Sequence, residues 1–180
     1  MKNMPKKKKP LYRDATEIVI AFIVAWGFYQ ALSIITGSSQ PVVSVVSRSM
    51  EHNEAFDAWW MKNEELYTKY DISKERFKNF PMPNGLYIGD ILFIVASDTY
   101  NVGDIIVYHP RDPSCFFDLK SGQTIIHRIV KYGDIIQTKG DNWRNPIDRC
   151  DIEKSKIVGK ALFVMPLLGY PRIALFAFGV

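Results

Sequence analysis

The chain has 180 residues, 47% of them hydrophobic, enough for one packed domain plus a short appendage, which excludes a disordered tail. Its formal charge of +4 does not describe a nucleic-acid-binding face, because Lys2, Lys6, Lys7, Lys8, Lys9 and Arg13 all precede the first apolar segment and the remainder is roughly neutral. Two cysteines, Cys115 and Cys150, are too few and too far apart for a zinc site or a disulfide scaffold; buried free thiols are preferred to a single disulfide, and their status is left open.

From Ile18 to Ile35 the sequence IVIAFIVAWGFYQALSII carries no charge, and at helical rise about 18 residues nearly cross a hydrocarbon core. No polar face recurs at helical spacing, which disfavours a buried core helix. Gly37-Ser38-Ser39 offers small residues for a signal-peptide cleavage site, but the apolar run exceeds the usual length of such a segment. The reading is therefore a retained signal anchor at residues 15–36, after a basic cytoplasmic segment at 1–14. No basic residue follows until Arg48, so the positive-inside rule puts residues 37–180 outside the membrane.

Past Pro41, the β-branched run Val42-Val43-Ser44-Val45-Val46 suits a strand, with Ser47-Arg48-Ser49-Met50 at its end. Residues 51–85 differ in character. Phe56, Trp59, Trp60, Leu66, Tyr67, Tyr70, Phe77 and Phe80 are scattered among Lys and Glu, which predicts one or two short amphipathic helices closed by Pro81-Met82-Pro83-Asn84-Gly85. Phe56, Trp59 and Trp60 suit a headgroup belt and a small satellite core equally.

Short β-branched runs follow at 91–96, 105–109, 124–132, 135–139 and 157–164, separated by Gly89-Asp90, Gly103-Asp104, Gly133-Asp134 and Gly140-Asp141. This pattern predicts a mainly β fold, an antiparallel domain behind one N-terminal transmembrane helix with a small helical insertion. The tail at 161–180 is apolar but broken by Pro166, Gly169, Pro171 and Arg172; it is expected to pack on the barrel or lie in the membrane interface.

A serine hydroxyl needs a neighbouring base, and that base needs a third group to orient it. The imidazoles available are His52, His109 and His127. His109 before Pro110 reads as a strand-end surface residue and His52 as a solvated one. If 125–130 and 135–139 form a hairpin over a two-residue Gly133-Asp134 loop, His127 falls opposite Gly140 and beside Asp141. The polar turn at 142–147 leads to Asp148, a second candidate partner.

Ser49-Met50, Gly103-Asp104-Ile105-Ile106-Val107-Tyr108, Ile126-His127-Arg128-Ile129-Val130, Lys139-Gly140-Asp141-Asn142 and Gly159-Lys160-Ala161-Leu162-Phe163-Val164 occur in that order. Together they resemble the type I signal peptidases. Bacterial members carry a lysine base before the arginine on the equivalent strand; His127 before Arg128 is similar to the archaeal and endoplasmic-reticulum branch. Lys131 and Lys139 are rival bases off the motif position. The resemblance implies Ser49 as nucleophile, His127 as general base, Asp148 as orienting acid with Asp141 in support, and Ser47 as an oxyanion-hole hydroxyl. The choice between Asp141 and Asp148 stays open. Unlike the family pattern, Met50 is followed by a long insertion before Gly89-Asp90.

The resemblance further implies a membrane-bound serine endopeptidase that removes signal peptides from exported preproteins, using neither cofactor nor metal. Its expected partners are those signal peptides and membrane lipid, with the protein-export channel as a further candidate, and no nucleic acid. The expected location is the cell membrane, or the endoplasmic reticulum membrane in a eukaryote. The alternatives are a catalytically inactive, membrane-tethered β-domain serving as an interaction subunit, and a related serine protease acting on other membrane proteins.

Overall fold

The computed structural model describes residues 11–110 and 123–170. Helix α1 runs Leu11–Thr36, beginning a little before the expected span. It stands clear of the domain: Phe22, Trp26 and Ile34 are all exposed, and its apolar stretch has the length and composition to cross a membrane. Gly37, at φ 64°, ends it by donating its N–H to the Ile34 carbonyl, the left-handed stop that glycine adopts without steric cost.

The rest follows as β1 (Val42–Ser44), α2 (Phe56–Thr68), α3 (Lys74–Lys78), β2 (Ile91–Val95), β3 (Ile105–Tyr108), β4 (Ile125–Lys131), β5 (Gln137–Lys139) and β6 (Ile157–Met165). The six strands form one curled antiparallel sheet in the order β1-β2-β6-β3-β4-β5. Register shifts at Phe93/Ile94, Val107/Tyr108 and Ile129/Lys131 sharpen the twist, as bulges do. The turns entering β2 and β3 are built alike. In each, a glycine at positive φ precedes an aspartate whose carboxylate accepts a backbone N–H three residues back, Asp90 from Tyr87 and Asp104 from Asn101.

Side-chain alternation divides the sheet between three cores. Ile105 and Val107 join Val43, Val45, Met50, Leu92 and Ile94 on one face. Ile106 and Tyr108 join Ile125, Ile129, Ile136 and Ile152 on the other. The third core is aromatic and belongs to α2 and α3, where Trp59, Trp60, Tyr67 and Phe77 pack on Val130. The tryptophans are thus satellite-core residues: Trp59 is 0% and Trp60 2% exposed, which removes them from any headgroup belt.

Two further expectations are corrected. The hairpin between β4 and β5 is not a two-residue loop, because the Ile129/Lys131 bulge shifts the pairing and residues 132–136 make a wider turn. Cys150 is not a free thiol but is disulfide-bonded; Cys115 lies outside the described residues. The first part of the apolar tail belongs to β6, beyond which the Gly169 N–H bonds the Gly89 carbonyl while Leu167 and Leu168 stay exposed. Residues 171–180 of that tail lie outside the described residues.

Candidate active site

Strand β1 delivers the serine motif to one end of the sheet. Met50, 1% exposed, is its anchor: the side chain enters the core and its sulfur accepts the Asp141 N–H at 3.4 Å. With Met50 held inside, Ser49 is half-buried and Ser47 exposed, their hydroxyls 3.2 Å apart. The loop after β5 clamps this turn from the other side. Asn142 donates its backbone N–H to the Ser49 carbonyl at 2.9 Å and its side-chain amide to the Arg48 carbonyl at 3.0 Å. The Asn145 amide reaches the Ser49 carbonyl as well, at 3.3 Å.

His127 and Arg128 are neighbours on β4, so they point to opposite faces of the sheet, and each meets a different aspartate. The His127 Nδ1 lies 2.6 Å from Asp148 Oδ2. That oxygen also accepts the Thr138 hydroxyl at 2.6 Å and the Tyr108 hydroxyl at 3.1 Å. Burial, and then the Asp148 charge, pushes the Tyr108 phenol far above its ordinary pKa, so it stays a donor. Asp148 arrives here because the chain returns beside β5 after the 140–146 loop: Ile147 bridges Lys139, and the Asp148 N–H bonds the Thr138 carbonyl at 2.9 Å.

On the other face, Arg128 embraces Asp141 with Nε at 2.9 Å and Nη2 at 2.6 Å, and both side chains are fully buried. Burial alone would raise the Asp141 carboxyl, but the Arg128 guanidinium and the His52 ring together outweigh it and hold the group well below the usual carboxylate range. Arg128 also binds the carbonyls of Pro81, Met82 and Gly103, closing every side of its fork. Asp141 thus pairs with Arg128, and it is Asp148 that meets the His127 imidazole.

The expected juxtaposition of His127 with Gly140 is present, since the Arg128↔Lys139 and Ile129↔Thr138 pairs place the two residues opposite one another. Gly140 is needed there for space. A Cβ on it would lie 2.5 Å from the Ser49 carbonyl oxygen and 2.9 Å from His127 Nε2, so the imidazole and the serine backbone bracket the same small gap.

Of the rival bases, Lys131 is exposed on the far end of β4. Lys139 is buried on the Arg128 face, with its ammonium bonded to the Gly140 and Asn142 carbonyls at 2.8 and 3.2 Å. Burial lowers its pKa to about 8, but its donors point into the loop backbone. His109 is half-buried at the end of β3. His52 is not solvated: it is 1% exposed, stacked on Trp59 at 3.7 Å, with Nε2 3.8 Å from Asp141 Oδ2. No group of three or more His, Cys, Asp or Glu side chains among the described residues could hold a metal ion.

Sequence reasoning missed Tyr108, Thr138, Asn142 and Asn145 as parts of the site. The signal for the first two was available, because Tyr108 follows the Ile106–His127 pair on its own face and Thr138 pairs with Ile129, two residues from His127. Asn142 and Asn145 depend on the loop conformation and have no periodic signature.

The chain thus sets a curled antiparallel sheet behind one long apolar helix, with serine, histidine and aspartate side chains gathered at one end. No protein-family model matches the chain. It is similar to the "Signal peptidase complex catalytic subunit SEC11" of Saccharomyces cerevisiae strains YJM789 and RM11-1a, at 29% identity over 170 residues, covering 87% of this chain and 78% of each relative. The chain is a homologue of that subunit.

Proposed function

We propose that this chain is a single-pass membrane serine endopeptidase that removes signal peptides from exported preproteins. The observation that carries the reading is the His127–Asp148 pair at 2.6 Å through Nδ1, with the second ring nitrogen, Nε2, and the Ser49 carbonyl both bordering the small gap at Gly140. Asp148 fixes the tautomer: accepting from Nδ1–H leaves Nε2 as the basic nitrogen.

In this reading Ser49 Oγ attacks the scissile carbonyl while His127 Nε2 takes its proton. The developing imidazolium is stabilised by Asp148, whose charge is itself held by Tyr108 and Thr138. The oxyanion is met by the Ser49 N–H and the Ser47 hydroxyl, which sits 3.2 Å from the nucleophile. His127 then returns the proton to the leaving amine, and a water activated by the same base releases the acyl group. Asp141 supports the site indirectly, by locking the loop that clamps Ser49.

α1 would cross the bilayer with the basic segment on the cytoplasmic side. Sharing one membrane with a signal peptide would raise the effective concentration of the scissile bond. The partners are thus signal peptides, surrounding lipid and, as a further candidate, the export channel. The test is cleavage of a preprotein by the purified full chain in detergent, with the new N-terminus sequenced. Cutting at the signal junction, lost when small residues before the cut are replaced by large ones, supports the reading. No cleavage would favour an inactive interaction subunit, and indifference to residue size would favour a protease of other membrane proteins.

A further inference from the structure

We propose that the helical segment 51–85 positions the nucleophile, with the Trp59 indole and the Tyr67 hydroxyl of α2 as the groups that carry its hold to Ser49. This rests on the reading of Ser49 as nucleophile. The contacts form a short chain. Trp59 Nε1–H donates to the Asp141 carbonyl at 2.7 Å, and Tyr67 OH donates to Asp141 Oδ1 at 3.2 Å. The next residue, Asn142, makes the 2.9 Å bond to the Ser49 carbonyl and the 3.0 Å bond to the Arg48 carbonyl. The helix thus grips one residue of the loop, and its neighbour grips the serine turn.

Trp59, Tyr67 and Asp141 are each 0% exposed, so water cannot replace a lost partner and the bonds are made in a low-dielectric setting. The indole cannot swing away from its acceptor. His52 stacks on one face with a 3.7 Å centroid separation, and Phe77 packs against it at 4.9 Å. Tyr67 is seated in turn between Trp60 and Phe77, while the Lys139 ammonium that binds the Gly140 and Asn142 carbonyls lies 5.3 Å over its ring. The 140–142 backbone is therefore held by α2 at one carbonyl and by a lysine packed under α2 at the two flanking ones.

Packing alone would not need these donors. Trp60 shows the difference: it shares the aromatic core and is 2% exposed, yet its Nε1 has no hydrogen-bond partner among the described residues. Trp59→Phe and Trp60→Phe thus remove similar ring area from one core, while only the first removes a bond to the catalytic loop.

The test compares Trp59→Phe, Tyr67→Phe and Trp60→Phe in the full chain in detergent, by kcat and KM for preprotein cleavage, thermal midpoint, and hydrogen exchange of a peptide covering 140–146. Trp59→Phe is expected to lower kcat about tenfold with KM within about twofold, and to speed exchange about tenfold. Tyr67→Phe should move both in the same sense. Trp60→Phe should keep kcat and loop exchange near wild type although its midpoint falls comparably. Equal losses in Trp59→Phe and Trp60→Phe, or wild-type kcat and exchange in Trp59→Phe, would overturn the proposal. A wild-type chain that cleaves nothing would sink the peptidase reading instead; exchange then decides alone, acceleration confined to Trp59→Phe and Tyr67→Phe upholding the tether and equal exchange overturning it.

Discussion

Replacing Asp148 by asparagine separates two things the carboxylate does for His127: it orients the ring, and it supplies charge. Three donors converge on Oδ2, from His127 and Thr138 at 2.6 Å and from Tyr108 at 3.1 Å. An amide that put its NH2 there would face donors with a donor, so the carbonyl oxygen takes that place and still accepts from Nδ1–H. Orientation and tautomer survive; the negative charge does not. The difference between a charged and a neutral acceptor is about 1–2 kcal/mol, which predicts a roughly five- to thirty-fold slower chemical step for Asp148→Asn. Asp148→Ala removes the acceptor as well and leaves the imidazole without its anchor, for an expected loss of about 10³–10⁴-fold. Single-turnover cleavage with enzyme in excess measures the chemical step free of product release. Equal rates for the two variants, or Asp148→Ala within about tenfold of wild type, would refute the assignment of Asp148 as the orienting group.

Gly140→Ala should cost about 10²-fold in kcat, because its Cβ would meet the Ser49 carbonyl at 2.5 Å and His127 Nε2 at 2.9 Å and push apart the groups that must align; retained kcat would show that the gap is slack. Asp141→Asn should destabilise the fold by about 3–5 kcal/mol at neutral pH, measured as a shift in the denaturant midpoint, since it strands the Arg128 charge in the core. The pH dependence follows from the same pair. The Asp141 carboxyl titrates lower in the folded than in the unfolded state, so its contribution is present above the ordinary aspartate pKa and is lost as pH falls below it toward the folded value. Wild type should therefore lose stability below about pH 4, and Asp141→Asn should show a shallower acid slope; parallel slopes would contradict the ion-pair account.

Much of this architecture can be read from residue order because it rests on short-range rules. The apolar run at 18–35, the β-branched strands and the Gly-Asp turns at 89–90 and 103–104 each declare themselves within a few residues. His127 opposite Gly140 follows from pairing at period two, and the bulge at Ile129/Lys131 absorbs the wider 132–136 turn without disturbing it. Asp148 was harder to choose over Asp141, because it depends on the chain folding back after 140–146 to bridge Ile147 with Lys139. Once adjacent residues on β4 are seen to face opposite ways, the division is simple: His127 takes Asp148 and Arg128 takes Asp141. The aromatic core was hidden for another reason. Trp59, Tyr67 and His52 lie in a charged segment with a weak helical stripe, and they are buried only because they close over Asp141 and Val130.

The central claim is that Ser49, activated by His127, breaks the peptide bond. Its most direct measurement is single-turnover cleavage of a preprotein by the full chain carrying Ser49→Ala or His127→Ala, each verified as folded by its thermal midpoint. The account predicts no junction-specific product from Ser49→Ala and a loss of about 10³-fold or more from His127→Ala. Junction cleavage at an undiminished rate by folded Ser49→Ala would contradict it.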